Sequence, residues 1–197
     1  MKFKPSYTSS IAEDIMAERL IRAQAVEFLA DAPMRLKSGL ISPVYVDNRK
    51  LFSHPEAWRD IVETMASRVE EYDLEFDIVA GVEAAGSMHA AALAYRLGLP
   101  AIMVRQKAKT YGNHSRIEGG DVKDMRVLLL EDHISTGLSC LDAIRALRGE
   151  GAQVTQVMSI TNYAIPETQR LFKQEGIDTY DVIAFEKVVR KAKEMGV

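Results

Sequence analysis

Residues 127–139 read VLLLEDHISTGLS: four apolar residues, the adjacent carboxylates Glu131 and Asp132, then a run of small hydroxyl residues around a glycine. Paired carboxylates suit the hydroxyls of a sugar or a metal ion. Ser135, Thr136, Gly137, Leu138 and Ser139 open a helical pattern, and the first amides of a helix have no intrahelical acceptors and face an anion such as phosphate. Acids repel a phosphate set directly on them. They more naturally accept hydrogen bonds from a ribose 2′- and 3′-hydroxyl pair, with the phosphate one turn further on. An acidic pair alone reads as the solvated end of a capped βα turn; the attached Ser-Thr-Gly-Leu-Ser run turns the balance toward a site.

Two other loops carry possible chemistry. GVEAAGS at 81–87 is a short, flexible connection able to bring backbone amides near a second anionic group. VRQKAKTYGNHSRIEGG at 104–120 places Arg105, Lys107, Lys109, His114 and Arg116 within twelve residues, with three glycines that permit motion. In an acidic protein this basic run reads as a lid for a polyanion, able to stabilise departing negative charge and exclude water; a solvated loop is the plain alternative. A nucleoside triphosphatase is a rival, because an apolar strand ending in acids resembles a Walker B strand. It requires G-x-x-x-x-G-K-[ST], and the nearest match, from Gly81 to Gly86, continues with Ser87 and Met88. The histidines at 54, 89, 114 and 133 have no ligand-like spacing for zinc. Cys140 lies in an apolar helical pattern and reads as packing.

The elements that position these loops follow from periodicity. Ser10 and Glu13 form a capping-box pattern ahead of a helix predicted to end near Ala30, with Ile11, Ile15, Leu20, Ile21, Phe28 and Leu29 on its apolar face. Residues 33–50 read as two extended pieces around a turn at Lys37–Ser42. Ser53 and Glu56 repeat the capping box before a second helix. From Asp77 onward, short apolar strands alternate with helices: DIVAG, AIMVR, RVLLLE, QVTQVMSI and a strand near Thr179–Ile183. This alternation predicts right-handed crossovers and a mostly parallel sheet. Ligands in such sheets sit at the carboxyl ends of the strands, where 81–87, 105–119 and 131–139 all fall. The strand of the opening stretch is expected to end at Leu130, so that both carboxylates emerge at that edge.

The 197 residues fit one domain, and 47% hydrophobic with 27% charged residues supports a real core. A net charge of −3 gives no support to a nucleic-acid or membrane-surface partner. The single cysteine, the absence of an apolar leader in MKFKPSYTSS and the lack of a run near the roughly 20 apolar residues a spanning helix needs lead to the expectation of a cytoplasmic protein.

Residues 131–139 closely resemble the phosphoribosyl pyrophosphate signature of type I phosphoribosyltransferases, [ED]-D-x-x-[ST]-[ST]-G-x-[ST], at every defined position. Three further segments resemble orotate phosphoribosyltransferases: LKSGLISPVYVDNR at 36–49, VRQKAKTYG at 104–112 with RIEGG closing the loop, and ITNYAIPE at 160–167. The resemblance implies an α/β type I phosphoribosyltransferase fold, with a small amino-terminal hood over roughly residues 1–52 and a core over roughly 53–197. It implies that Glu131, Asp132, His133, Ile134, Ser135, Thr136, Gly137, Leu138 and Ser139 hold phosphoribosyl pyrophosphate, with Arg105, Lys109 and Tyr111. Lys107, Lys109 and Asp132 take catalytic roles on that likeness, and Lys37 and Ser135 meet orotate. Mg²⁺ would arrive through the substrate, with Asp132 the candidate protein ligand and the likeness leaving open which of the two acids lies nearer to it, and the basic loop would reach the neighbouring subunit of a homodimer. Gln106, Tyr111, Met34 and Leu138 depart from common residues of the family. The rival readings are the same fold acting on another base, and a non-catalytic sensor of phosphoribosyl pyrophosphate.

Overall fold

Leu128, Leu129 and Leu130 have no exposed surface at all, which requires a strand covered on both faces. The computed structural model describes residues 9–29, 32–35, 39, 41–108 and 115–197. The order is α1 (Ser9–Arg22), β1 (Val26–Phe28), β2 (Met34–Arg35), β3 (Ile41–Ser42), β4 (Val44–Val46), a 3-10 turn (Asn48–Ser53), α2 (Pro55–Glu71), β5 (Ile78–Val82), α3 (Ala85–Leu97), β6 (Ala101–Val104), β7 (Ile117–Glu118), β8 (Arg126–Ile134), α4 (Leu138–Gly149), β9 (Gln153–Asn162), α5 (Pro166–Gln174), β10 (Asp178–Ala184) and α6 (Phe185–Met195).

The main sheet has the order β10-β9-β8-β5-β6-β7. Its first five strands are parallel, and β7 is antiparallel to β6. Alternate residues of β8 feed two cores. Leu128 and Leu130 pack with Leu20 of α1, Ile61 and Met65 of α2, Leu93 of α3 and Val188 of α6. Val127 and Leu129 pack on the other face with Ile144 and Leu147 of α4 and Phe172 of α5. Each such buried leucine contributes about 1.5–3 kcal/mol of transfer free energy. The chain leaves β5 toward β6 on one side and later leaves β8 toward β9 on the other. The crevice at the carboxyl ends of β5 and β8 is therefore a topological switch point, where open α/β sheets bind ligands.

Three expectations are corrected. The first helix stops at Arg22, not near Ala30, because Gln24 turns the chain at φ 53° and Val26–Phe28 pairs antiparallel with Val44–Val46. Sheet pairing overrides the helical spacing of Phe28 and Leu29. The second capping box does not form: Ser53 Oγ donates to the Lys50 carbonyl, and α2 begins at Pro55 after His54 without a side-chain cap. Proline lacks an amide hydrogen, so one orphan donor is absent from that helix start. Finally, β8 does not end at Leu130. Glu131, His133 and Ile134 continue its ladder against Ser159, Thr161 and Asn162 of β9. Among the described residues no helix is long and apolar enough to cross a membrane.

Candidate active site

The extra length of β8 changes how the carboxylates are held. Glu131 is a strand residue only 6% exposed. Its Oε2 accepts from Ser139 Oγ at 3.0 Å and its Oε1 from the Asp132 amide at 3.2 Å. Burial, followed by the neighbouring Asp132 charge, pushes the Glu131 carboxyl well above the ordinary carboxylate range. Burial pushes Asp132 up as well, and the positive charge of Arg49 works against that rise. Two buried acids of like charge are relieved by hydroxyl donors or a cation, which is what a ribose with a metal-bound phosphate offers.

Asn48, completely buried, braces the strand end from the 3-10 turn. Its Nδ2 donates to the Asp132 carbonyl at 2.6 Å and to Thr161 Oγ1 at 3.2 Å. Arg49 beside it forks onto Asp47 at 2.6 and 2.9 Å. His133 Nδ1 lies 2.9 Å from Thr161 Oγ1, its ring stands edge-on to Tyr163 at 4.3 Å, and burial lowers its pKa to about 4, so it is neutral. The Tyr163 hydroxyl donates to the Val44 carbonyl at 2.8 Å, tying β4 to the end of β9. Ile134 points into the core at 1% exposure, leaving only its backbone at the strand end.

The turn from β8 into α4 depends on one glycine. Gly137 has φ +70°, and a Cβ there would lie 2.8 Å from Thr168 Cγ2 and 2.9 Å from Phe172 Cζ. Thr168 Oγ1 donates to the Ser135 carbonyl at 3.1 Å, so the start of α5 supports the loop from behind. With Gly137 as its cap, α4 has no side chain occupying its first amides. Those amides and the hydroxyls of Ser135 and Thr136 are of the kind that cradle a phosphate, while the Ser139 hydroxyl is spent on Glu131. Leu138, 60% exposed, opens the helix at the rim.

GVEAAGS uses its glycines for close approach and not for the flexibility read from its sequence. A Cβ on Gly81 would meet Ser87 Cα at 2.4 Å, and one on Gly86 would meet the Leu130 carbonyl at 2.6 Å and Glu131 Oε1 at 3.4 Å. The Glu83–Ala84 peptide is cis. Through Gly86, the start of α3 is pressed against the acidic end of β8.

The basic segment leaves the same edge through β6. The Arg105 amide donates to the Arg116 carbonyl at 2.8 Å, and Arg116 Nε returns to the Arg105 carbonyl at 2.7 Å. Arg105 pairs with Glu118 at 2.9 Å and Arg116 with Asp142 of α4 at 2.6 Å. Lys107 is exposed. Lys37, Lys109, Tyr111 and His114 lie outside the described residues. Residues 81–87, 105–108 and 131–139 thus meet at the carboxyl ends of β5, β6 and β8. Sequence reasoning missed Asn48, Thr161, Tyr163 and Thr168 as supports. Each is a single polar residue without periodic spacing, and only the fold joins them.

Residues 47–193 match the phosphoribosyl transferase domain family. Over 181 residues the chain is 41% identical to orotate phosphoribosyltransferase of Coxiella burnetii, covering 92% of this chain and 87% of that protein. The chain belongs to the orotate phosphoribosyltransferase family. The crystal structure of orotate phosphoribosyltransferase from Aeropyrum pernix has the same fold, with a TM-score of 0.78 at 26% identity over 92% of this chain and 98% of that one. Leishmania donovani UMP synthase superposes with a TM-score of 0.83 at 26% identity over 94% of this chain, which spans 39% of that longer protein.

For an orotate phosphoribosyltransferase the donor set at the acid pair is informative. Among the described residues no three His, Cys, Asp or Glu side chains group as a metal cage. Glu131 and Asp132 nonetheless offer hard oxygen donors beside the cradle. This fits Mg²⁺, which keeps several waters and binds through one or two carboxylates together with substrate phosphates.

Proposed function

We propose that the chain transfers the phosphoribosyl group of 5-phospho-α-D-ribose 1-diphosphate to orotate, giving orotidine 5′-monophosphate and pyrophosphate, a step of pyrimidine biosynthesis. The observation that carries this reading is the junction of buried Glu131 and half-buried Asp132 with a glycine-capped helix start, in a chain related to orotate phosphoribosyltransferases over nine-tenths of its length.

A division of labour follows from the likeness to orotate phosphoribosyltransferases and, for the described residues, from their placement. Asp132 and Glu131 accept the ribose hydroxyls, and the start of α4 binds the 5′-phosphate. The C1–oxygen bond breaks, leaving positive charge on the sugar and negative charge on pyrophosphate. Orotate N1 then bonds to C1 and loses its proton. Lys107, Lys109 and Arg105 stabilise the departing pyrophosphate, the loop at 81–87 faces it, Tyr111 adds a contact, and Lys37 with Ser135 orients orotate. Asp132, together with the substrate phosphates, would hold Mg²⁺, which would supply neutralising charge for the leaving group. Preorganised cations of this kind supply much of an enzyme's rate enhancement.

A cytoplasmic homodimer belongs to the same proposal, with the basic loop shared between subunits and residues 1–52 acting as a hood on the core. Met88 and Tyr95 of α3, 47% and 91% exposed and seven residues apart, give one helix face the apolar character of a contact surface.

The test follows orotate absorbance with purified protein, phosphoribosyl pyrophosphate and Mg²⁺. Loss of absorbance that requires both additions establishes the reaction and its base. No loss, with Mg²⁺-dependent binding of phosphoribosyl pyrophosphate intact, moves the reading to another base or a sensor. Lys109→Ala separates an enzyme from a sensor: turnover falls far more than resting affinity in the former.

A further inference from the structure

Glu83 is an acidic residue in the loop assigned above to the pyrophosphate, where negative charge is unwelcome. Its contacts explain its presence. The Glu83 amide donates to the Val104 carbonyl at 2.9 Å, one step past the Val82–Val104 pair that closes the β5–β6 ladder. The ladder then continues through side chains. The Gln106 amide donates to Glu83 Oε2 at 3.0 Å, and Gln106 Nε2 donates to the Glu83 carbonyl at 3.0 Å. The carboxylate thus takes the place of a strand carbonyl, while the glutamine amide holds the main chain of the 81–87 loop in return. On the opposite edge, residue 105 is bonded to Arg116. Residues 104–106 are held from both sides just before Lys107.

We infer that Glu83, clasped reciprocally to Gln106, is a positioning residue that fixes the start of the basic segment against the 81–87 loop. The role rests on the reading of this site as a pyrophosphate site. The clasp sets the direction in which the chain leaves β6, and hence where Lys107 stands relative to the loop amides. A hydrogen-bonded carboxylate is also turned toward Gln106, which limits its repulsion of an anion at the loop.

The variants are Glu83→Ala, Glu83→Gln and Gln106→Ala in the full chain. The measurements are kcat and KM for phosphoribosyl pyrophosphate and for orotate, Mg²⁺-pyrophosphate affinity, and amide exchange at residues 104–107. Glu83→Ala is expected to weaken Mg²⁺-pyrophosphate and lower kcat/KM for phosphoribosyl pyrophosphate by about tenfold, the scale of losing one hydrogen bond to a charged group. KM for orotate stays within about twofold by the same scale, and exchange at Gln106 quickens while β5 stays protected. Glu83→Gln keeps an acceptor oxygen and retains near-normal values. Gln106→Ala removes the other bond of the clasp, to the Glu83 carbonyl, and the double variant costs less than the sum of the two single changes, because each bond aligns the groups of the other. Two results overturn the role: Ala and Gln at 83 tightening pyrophosphate alike, as removal of a repulsive charge alone would do, or Glu83→Ala loosening β5 as a whole. If the unmodified chain binds neither phosphoribosyl pyrophosphate nor pyrophosphate, the site reading fails. The exchange at Gln106 still reports whether the clasp exists.

Discussion

The acidic end of β8 and the basic segment after β6 sit on one edge of one sheet, yet they are held by opposite means. Around Glu131 and Asp132 the supports are mostly interior: buried Asn48, buried Thr161 of a paired strand, and α5 behind Gly137, with the exposed Ser139 alone reaching in from the helix start. Around Arg105 and Arg116 the main chain is laddered, but the side chains are held by ion pairs near the surface, to Glu118 and Asp142. Breaking a buried hydrogen bond so that its partner is stranded costs about 1–3 kcal/mol, whereas an exposed ion pair is worth about 0–1 kcal/mol. The difference follows the chemistry proposed for each. A group that must meet a sugar in fixed geometry gains from rigidity, and cations that serve a leaving group need contacts they can exchange cheaply.

The most severe change strikes the rigid side. Asp132→Ala is expected to lower kcat/KM by about a hundredfold or more, since hydrogen bonds to a charged group are worth roughly 1.5–3 kcal/mol each. Thermal stability should hold or improve, because a buried, like-charged neighbour of Glu131 is gone. An activity loss matched by a lower melting temperature would place Asp132 among the fold's supports and break the contrast. Gly137→Ala acts on the same loop through packing. It forces φ +70° on a residue with a Cβ and drives that Cβ into Thr168 and Phe172. The expected cost is about 3 kcal/mol, combining left-handed backbone strain with overpacking, read by urea denaturation.

Asn48→Ala sharpens the comparison, because Asn48 touches no proposed ligand group directly. It removes the donor to the Asp132 carbonyl and to Thr161 and leaves a small cavity, for about 2 kcal/mol in unfolding. Phosphoribosyl pyrophosphate affinity should fall with it. This residue also marks the limit of what the sequence made legible. The alternation of apolar strands with helices, and the acid–hydroxyl–glycine run, are periodic or contiguous signals, and both carried through to the fold and the site. Asn48 and Thr161 act across 113 positions of sequence, with no pattern linking them. The extension of β8 past Leu130 rests on its pairing with β9, which no local window of the sequence shows. Val26–Phe28 had helical spacing, and its partner at Val44–Val46 lay outside any local window.

A histidine away from both regions separates site effects from background acid sensitivity. His89 is fully buried beneath Trp58, which donates to its Nδ1 at 3.1 Å, and burial lowers its pKa to about 3. Its folded pKa lies below the unfolded value of 6.5, so the unfolded chain binds the extra proton as pH falls. Stability is therefore full above 6.5 and declines toward 3. Between pH 7 and 5 the decline from this group is about 2 kcal/mol at the slope of 1.36 kcal/mol per proton and pH unit. His133, held near 4 by burial, contributes in the same direction. His89→Gln keeps an acceptor for Trp58 and should remove about half of the acid sensitivity owed to the two rings, seen in denaturation series at each pH. A variant as acid-sensitive as the parent would assign the decline to the strand end at His133 instead.

The smallest effect belongs to the exposed side, and it decides whether the contrast holds. Glu118 carries the carboxylate that meets Arg105 at 2.9 Å, with the two side chains 29% and 32% exposed. Glu118→Gln keeps the side-chain size and removes the charge. Unfolding free energy is expected to change by less than about 1 kcal/mol, the range for pairs reached by water. Arg105 then carries less compensated charge at the edge where pyrophosphate is proposed to sit. Mg²⁺-pyrophosphate should bind the same or slightly tighter, and the gain should fade as ionic strength rises past about 0.15 M. If Glu118→Gln instead destabilised the chain as much as Asn48→Ala, the basic segment would be as firmly built as the acid pair. Cheap exchange of contacts would then be no part of how this edge handles a leaving group.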